Sequence, residues 1–82
     1  MSYQIIIEKP AMKFLLKQSQ EVRVRILRAV NLLPGQGDIK PMSGHANLFR
    51  LRVGTYRVLY TIDEAVVTVR VIAIGNRGDI YK

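Results

Sequence analysis

The stretch LFRLRVGTYRVLY, residues 48–60, constrains the fold more tightly than any other part of the sequence. Apolar and polar residues alternate on both sides of Gly54-Thr55, a Gly-X pair that suits a two-residue type II′ turn. With that turn in place, Val53 faces Tyr56 and Arg52 faces Arg57, and residues directly opposed on paired strands share a face. One face of the hairpin then carries Phe49, Leu51, Val53, Tyr56, Val58, Tyr60 and Ile62 without interruption, and must be buried. The other carries Leu48, Arg50, Arg52, Arg57, Leu59 and Thr61.

A third strand is expected over about 66–74, after Asp63-Glu64-Ala65, with Gly75 ending it. An even-numbered connection places Val67, Val69, Val71 and Ala73 on the core face and Arg70 on the basic face. An odd one would bury Arg70, at several kcal/mol unless it were paired. The even connection is therefore preferred, and Arg50, Arg52, Arg57 and Arg70 share one side of the sheet. Like charges facing each other across strands are unfavourable. The planar guanidinium fork matches phosphate, so a face of this kind is built to hold a polyanion backbone.

The N-terminal half supplies the cover for the apolar face. Residues 3–8, YQIIIE, read as a short strand. Pro10 suits the first turn of a helix, and Ala11, Phe14, Leu15 and Gln18 recur at helical spacing over 10–18. Ser19 is a candidate N-cap for a second helix, with Glu21 in its first turn. Val22, Ile26, Val30 and Leu33 form one stripe of that helix, Leu27 lies beside it, and Pro34-Gly35 stops it. Residues 34–47, PGQGDIKPMSGHAN, read as a loop. These 82 residues make one small domain, 1–82, with 49% hydrophobic residues, so a folded core is expected.

The formal net charge is +7 and is spread through the folded elements, which favours an anionic partner. There is no cysteine, so no disulfide framework, zinc cluster or thiol nucleophile is expected. No His/Asp/Glu set has metal-ligand spacing, and no apolar run approaches the ~20 residues of a membrane span. MSYQIIIEKP has no basic leader or cleavage site, so no signal peptide is expected and a cytoplasmic location is the default. His45, the sole histidine, lies in the loop before the hairpin, from where it could reach the basic face, and reads more readily as an ordinary loop residue than as a catalytic one. Gly35-Gln36-Gly37 lacks the lysine and the strand-turn-helix setting of a phosphate loop.

The chain ends IGNRGDIYK. Strand, two helices, a glycine-containing loop, RLRVGTYRVLY and an ending of the form GxRxxIY together resemble the RelE/ParE superfamily of toxins from type II toxin–antitoxin pairs; KPMSGHANLFR resembles that family's lead into the hairpin. The resemblance covers nearly the whole chain. It implies an α+β fold, β-α-α-β-β-β, with an antiparallel sheet and a helical hairpin packed on one face. RelE-type members are ribonucleases that cut messenger RNA, commonly in the ribosomal A site. ParE-type members poison DNA gyrase and lack the catalytic basic cluster.

Carried over residue by residue, the resemblance implies a catalytic set of Arg50, Arg52, Arg57, Arg77 and Tyr81. Arg50, Arg52, Arg70 and Lys82 are expected to bind RNA. All five catalytic positions are filled, which favours the ribonuclease branch: an endoribonuclease needing no metal or cofactor, acting through the ribose 2′-OH and inhibiting translation. A gyrase inhibitor, or a toxin-fold protein that only binds RNA or antitoxin, are the alternatives. Some relatives carry lysine on the first hairpin strand and others Glu and His. Here both strand positions are arginine, which stays protonated, so neither is a general base. The implied partners are a cognate antitoxin that wraps the toxin, messenger RNA and the ribosome. Operator DNA is expected to be met only through the antitoxin, and no membrane is involved.

Overall fold

A computed structural model of the chain describes residues 3–42, 44 and 47–76. Strand β1 (Gln4–Ile7) leads into helix α1 (Lys9–Leu16), and α2 (Gln20–Asn31) follows. Four more strands follow among the described residues: β2 (Asp38–Pro41), β3 (Leu48–Val53), β4 (Tyr56–Asp63) and β5 (Thr68–Asn76). They form one five-stranded sheet in the order β1-β5-β4-β3-β2. The α+β class and the helical hairpin on one face agree with expectation. The sheet itself is mixed rather than antiparallel throughout, because β1 pairs with β5 in parallel. The long connection between those strands, through both helices and three further strands, permits that pairing.

Local chemistry explains the helix boundaries. Pro10 lies in the first turn of α1, where a missing N–H costs little. That helix starts one residue before the expected range and stops at Leu16, with Lys17 as its C-cap. The Ser19 hydroxyl accepts from the Val22 N–H at 3.3 Å and caps α2, as its sequence position suggests. The stripe expected on α2 faces inward: Ile26, Val30 and Leu33 are buried, and Val22 and Leu27 pack against them. From the sheet come Leu51, Val53, Val58, Tyr60, Val69, Val71 and Ile74, and from α1 Ala11 and Leu15. Phe14 meets Tyr56 edge-on at 6.0 Å, and Phe49 stacks on Tyr60 at 5.5 Å. Tyr60 has no exposed surface, its hydroxyl has no hydrogen-bond partner among the described residues, and burial pushes its phenol up to about 12.

The hairpin register is the expected one, with Val53 opposite Tyr56 and Arg52 opposite Arg57. Gly54 has φ +60°, as the first central position of a type II′ turn requires. The connection from Asp63 to Thr68 is even-numbered, as expected, and keeps Ile62 opposite Val69 and Thr61 opposite Arg70.

Three expectations are corrected. Residues 38–41 are a strand, not loop, paired with β3 in the register Asp38–Arg52, Ile39–Leu51, Lys40–Arg50 and Pro41–Phe49. The third expected strand runs 68–76 rather than 66–74: Val66 is exposed, Val67 takes a left-handed φ of +50° to close the turn, and the strand continues through Gly75. Finally, Ala73 does not face the core. Tyr60 pairs with Val71 and Leu59 with Ala73, so Ile72 is an extra residue in a β-bulge. Beyond it the parity reverses, and Ile74 is buried instead.

Candidate nucleic-acid interface

The sheet face turned away from the helices is ordered in rows by strand pairing. One row runs Asp38, Arg52, Arg57, Gly75 from β2 to β5. The next runs Lys40, Arg50, Leu59, Ala73. The third holds Leu48, Thr61 and Arg70, with Ile6 on β1 beyond them. Arg50, Arg52 and Arg57 are thus neighbours at one end of the face. Arg70 shares the face but stands two rows from Arg52 and Arg57, about 13 Å along the strands at the usual rise, and one row along and two strands across from Arg50.

The repulsion expected among these cations is met partly by the protein itself. Asp38 lies between Arg52, whose Nε donates to it at 2.7 Å, and Arg50, 3.5 Å away. Glu8, the residue before α1, pairs with Arg70 at 3.4 Å. Both carboxylates come from elements other than the hairpin, so only the assembled sheet brings them to the arginines. Arg57 is different. It is half-buried, has no acidic partner among the described residues, and donates to the Tyr56 carbonyl at 3.4 Å. Gly75 is directly opposite it on β5, so no side chain stands over it from that strand.

The strand β2 contributes two residues that a loop reading of 34–47 hides. Lys40 adds a fourth cation to the Arg50–Arg52–Arg57 group, and Asp38 adds the carboxylate that bridges two of them. The signal was present in Asp38-Ile39-Lys40, where an apolar residue alternates with two polar ones. Ile39 packs on the core opposite Leu51 and turns its neighbours to the basic face. Gly37 makes the entry to β2 possible: its φ is +129°, and a Cβ there would come within 2.6 Å of the Leu51 side chain.

Of the residues expected at the site, Arg50, Arg52 and Arg57 converge and Arg70 is apart. Arg77, Tyr81, Lys82 and His45 lie outside the described residues. No group of three metal-ligating side chains occurs among the described residues, and no helix among them is long and apolar enough to cross a membrane. The chemistry available on the face is the binding of oxyanions and the stabilisation of negative charge. The carboxylate nearest the Arg50–Arg52–Arg57 group, Asp38, is held by two guanidiniums.

Comparison with known proteins places this geometry. Residues 5–81 match the family model of the ParE toxin of the type II toxin–antitoxin system parDE. A stretch of 37 residues is 46% identical to Toxin RelG of Mycobacterium tuberculosis; it spans 45% of this chain and 42% of RelG. The toxin–antitoxin complex RelBE2 of the same organism contains a chain that superposes with a TM-score of 0.80, at 26% identity over 94% of this chain and 100% of its own. The RelB–RelE antitoxin–toxin complex of Methanococcus jannaschii contains another, with a TM-score of 0.75, 27% identity, and coverage of 93% and 94%. The family model spans nearly the whole sequence, and the chain belongs to the ParE toxin family of type II toxin–antitoxin systems, within the RelE/ParE superfamily.

Proposed function

We propose that this protein is the toxin of a type II pair and acts as an endoribonuclease on messenger RNA at the ribosome. Cleavage would block translation until a cognate antitoxin neutralises the toxin. The observation that carries the reading is Arg57: a half-buried guanidinium with no acidic partner among the described residues, beside Arg50, Arg52 and Lys40 on a face the core does not need.

In the proposed reaction the ribose 2′-oxygen attacks the adjacent phosphorus. An O2′–P bond forms, the P–O5′ bond breaks, and the products are a 2′,3′-cyclic phosphate and a 5′-hydroxyl. The 2′-OH proton must leave and the 5′-oxygen must gain one. Charge accumulates on the phosphorane oxygens, and fixed cations aimed at such charge are usually the largest catalytic term. Arg57 and Arg77 take that role. Arg50 and Arg52 bind flanking phosphate, joined by Lys82 and, further off, Arg70. Tyr81 stacks on a base or orients the 2′-OH. The nucleophile is part of the substrate and the charge is met by guanidiniums, so the scheme calls on no metal ion.

A cognate antitoxin is supported by the similar structures, which are complexes of RelB with RelE and RelBE2. The net charge of +7 favours an acidic partner that folds as it binds, and operator DNA would be reached only through it. The test is cleavage of ribosome-bound message by purified wild type, Arg57→Ala and Arg77→Ala, each with a thermal melt and a gyrase supercoiling assay. Arg57→Ala should keep a cooperative fold and lose roughly 10²-fold or more in cleavage, the scale for one transition-state charge stabiliser. Normal cutting by both variants would end the ribonuclease reading, and inhibition of supercoiling would replace it with gyrase poisoning.

A further inference from the structure

We propose that Asp38 is a placeholder for phosphate: its carboxylate occupies the Arg50–Arg52 site in the free protein and gives way when a phosphodiester binds. This rests on the reading of the face as a phosphate-binding surface and names the residue that sets its affinity.

Three observations carry it. First, the position is that of a bound oxyanion. The two Asp38 oxygens lie 2.7 Å from Arg52 Nε and 3.5 Å from an Arg50 terminal nitrogen, and Lys40 stands beside Arg50 in the next row. Arg52 and Arg50 thus share one small anion, the arrangement a phosphate with two free oxygens would also take. Second, the pair is exchangeable. The Arg52 and Asp38 side chains are 51% and 47% exposed, and ion pairs open to water to that extent are weak. An anion of higher charge density can displace the carboxylate without unfolding anything. Third, Asp38 leaves the site incompletely satisfied. Arg50 is largely buried, at 18% side-chain exposure, and its Nε has no acceptor among the described residues. A phosphate brings more acceptor oxygens than the carboxylate, and this buried donor gains one if the Arg50 side chain turns as Asp38 leaves.

The placeholder has two effects. Without ligand, it holds Arg50 and Arg52 in place and offsets their repulsion. With ligand, it competes, so the affinity of the face is lower than its cations alone would give. Asp38 is therefore a positioning and affinity-setting residue.

The experiment uses the full chain and the isosteric variant Asp38→Asn, with Asp38→Ser as a second variant and thermal melts of each. Two probes are titrated: a non-cleavable 2′-O-methyl RNA oligomer and inorganic pyrophosphate, each at several salt concentrations. Both variants should bind both probes more tightly, by roughly two- to five-fold at low salt, the range set by a solvent-exposed ion pair. The RNA salt slope should steepen by about 0.7, as for one more phosphate contacted on a single strand. In an Arg52→Ala background the gain should largely vanish, because the competition is for that guanidinium. Unchanged or weaker binding of both probes in folded Asp38→Asn and Asp38→Ser would overturn the proposal. So would a gain of equal size in the Arg52→Ala background, which would mark a general charge effect. A gain with pyrophosphate but none with RNA would uphold the placeholder and count against the ribonuclease reading.

Discussion

Removing one oxygen from the centre of the core should make this protein more stable, not less. The Tyr60 ring is wholly buried and stacked on Phe49, while its hydroxyl has no partner among the described residues. A buried hydroxyl without a partner costs about 1–3 kcal/mol in desolvation. Tyr60→Phe keeps the ring and removes that cost, against a small loss from the space the oxygen filled. The net expectation at pH 7 is a gain of about 1 kcal/mol, or roughly 4–8 °C in Tm for a domain of this size. The alkaline side gives a second, independent readout. Burial raises the folded-state phenol from 10.0 to about 12. The unfolded state therefore loses its proton first, and stability falls as pH rises from 10 towards 12. At pH 11 this amounts to about 1.4 kcal/mol, one pKa unit's worth, and Tyr60→Phe lacks it. The advantage of the variant should thus widen from pH 7 to pH 11. Urea melts followed by circular dichroism at pH 7, 10 and 11 measure both effects, and the difference between the two proteins cancels the other titrating groups. A variant less stable than wild type by more than about 1 kcal/mol at pH 7 would show that the hydroxyl is hydrogen-bonded. A difference that stays flat to pH 11 would refute the burial argument.

Gly37→Ala should cost about 1–3 kcal/mol in a denaturant melt, since it forces a side chain into a left-handed backbone and against Leu51; it should also disturb the basic face, because β2 begins there. Ser19→Ala should lower stability by about 1 kcal/mol through loss of the α2 cap, with no change in RNA binding. Arg70→Ala should weaken RNA binding only modestly and reduce the salt slope by about 0.7, because Glu8 already engages this guanidinium and the row is remote from Arg57. Equal loss of cleavage in Arg70→Ala and Arg57→Ala would show that the rows are misjudged. Tyr81→Phe should cost much less activity than Tyr81→Ala if stacking dominates, and as much if the phenol handles a proton; single-turnover cleavage separates the two.

The hairpin was legible because one local signal, Gly54-Thr55, sets the pairing, and pairing sets which side every neighbour faces. The Ser19 cap and the α2 stripe were legible for the same reason: spacing along one segment decides them. Asp38–Pro41 escaped because four residues beside glycine and proline carry little strand preference of their own; pairing with β3 makes them a strand. The bulge escaped because Val71-Ile72-Ala73-Ile74 is apolar throughout, and a run without alternation does not reveal which residue is extra. The ion pairs at Asp38 and Glu8 depend on which strands and helix ends become neighbours across the sheet. No spacing along the chain encodes that.

The bulge at Ile72 has a bearing on how this fold tolerates insertions and deletions. It splits β5 into two stretches that run out of phase. Val69 and Val71 before it, and Ile74 after it, all reach the core only because one residue is skipped between them. Count β5 back without the skip and Ile74, not Gly75, stands opposite Arg57. A branched apolar side chain would then crowd Arg57, which has no carboxylate beside it among the described residues, and Ala73 would be left to fill the interior place of Ile74. Deleting Ile72 alone would remove the bulge and keep both roles, whereas a one-residue slip of the strand end that closed the bulge would exchange them, while each residue of the basic face remained unchanged.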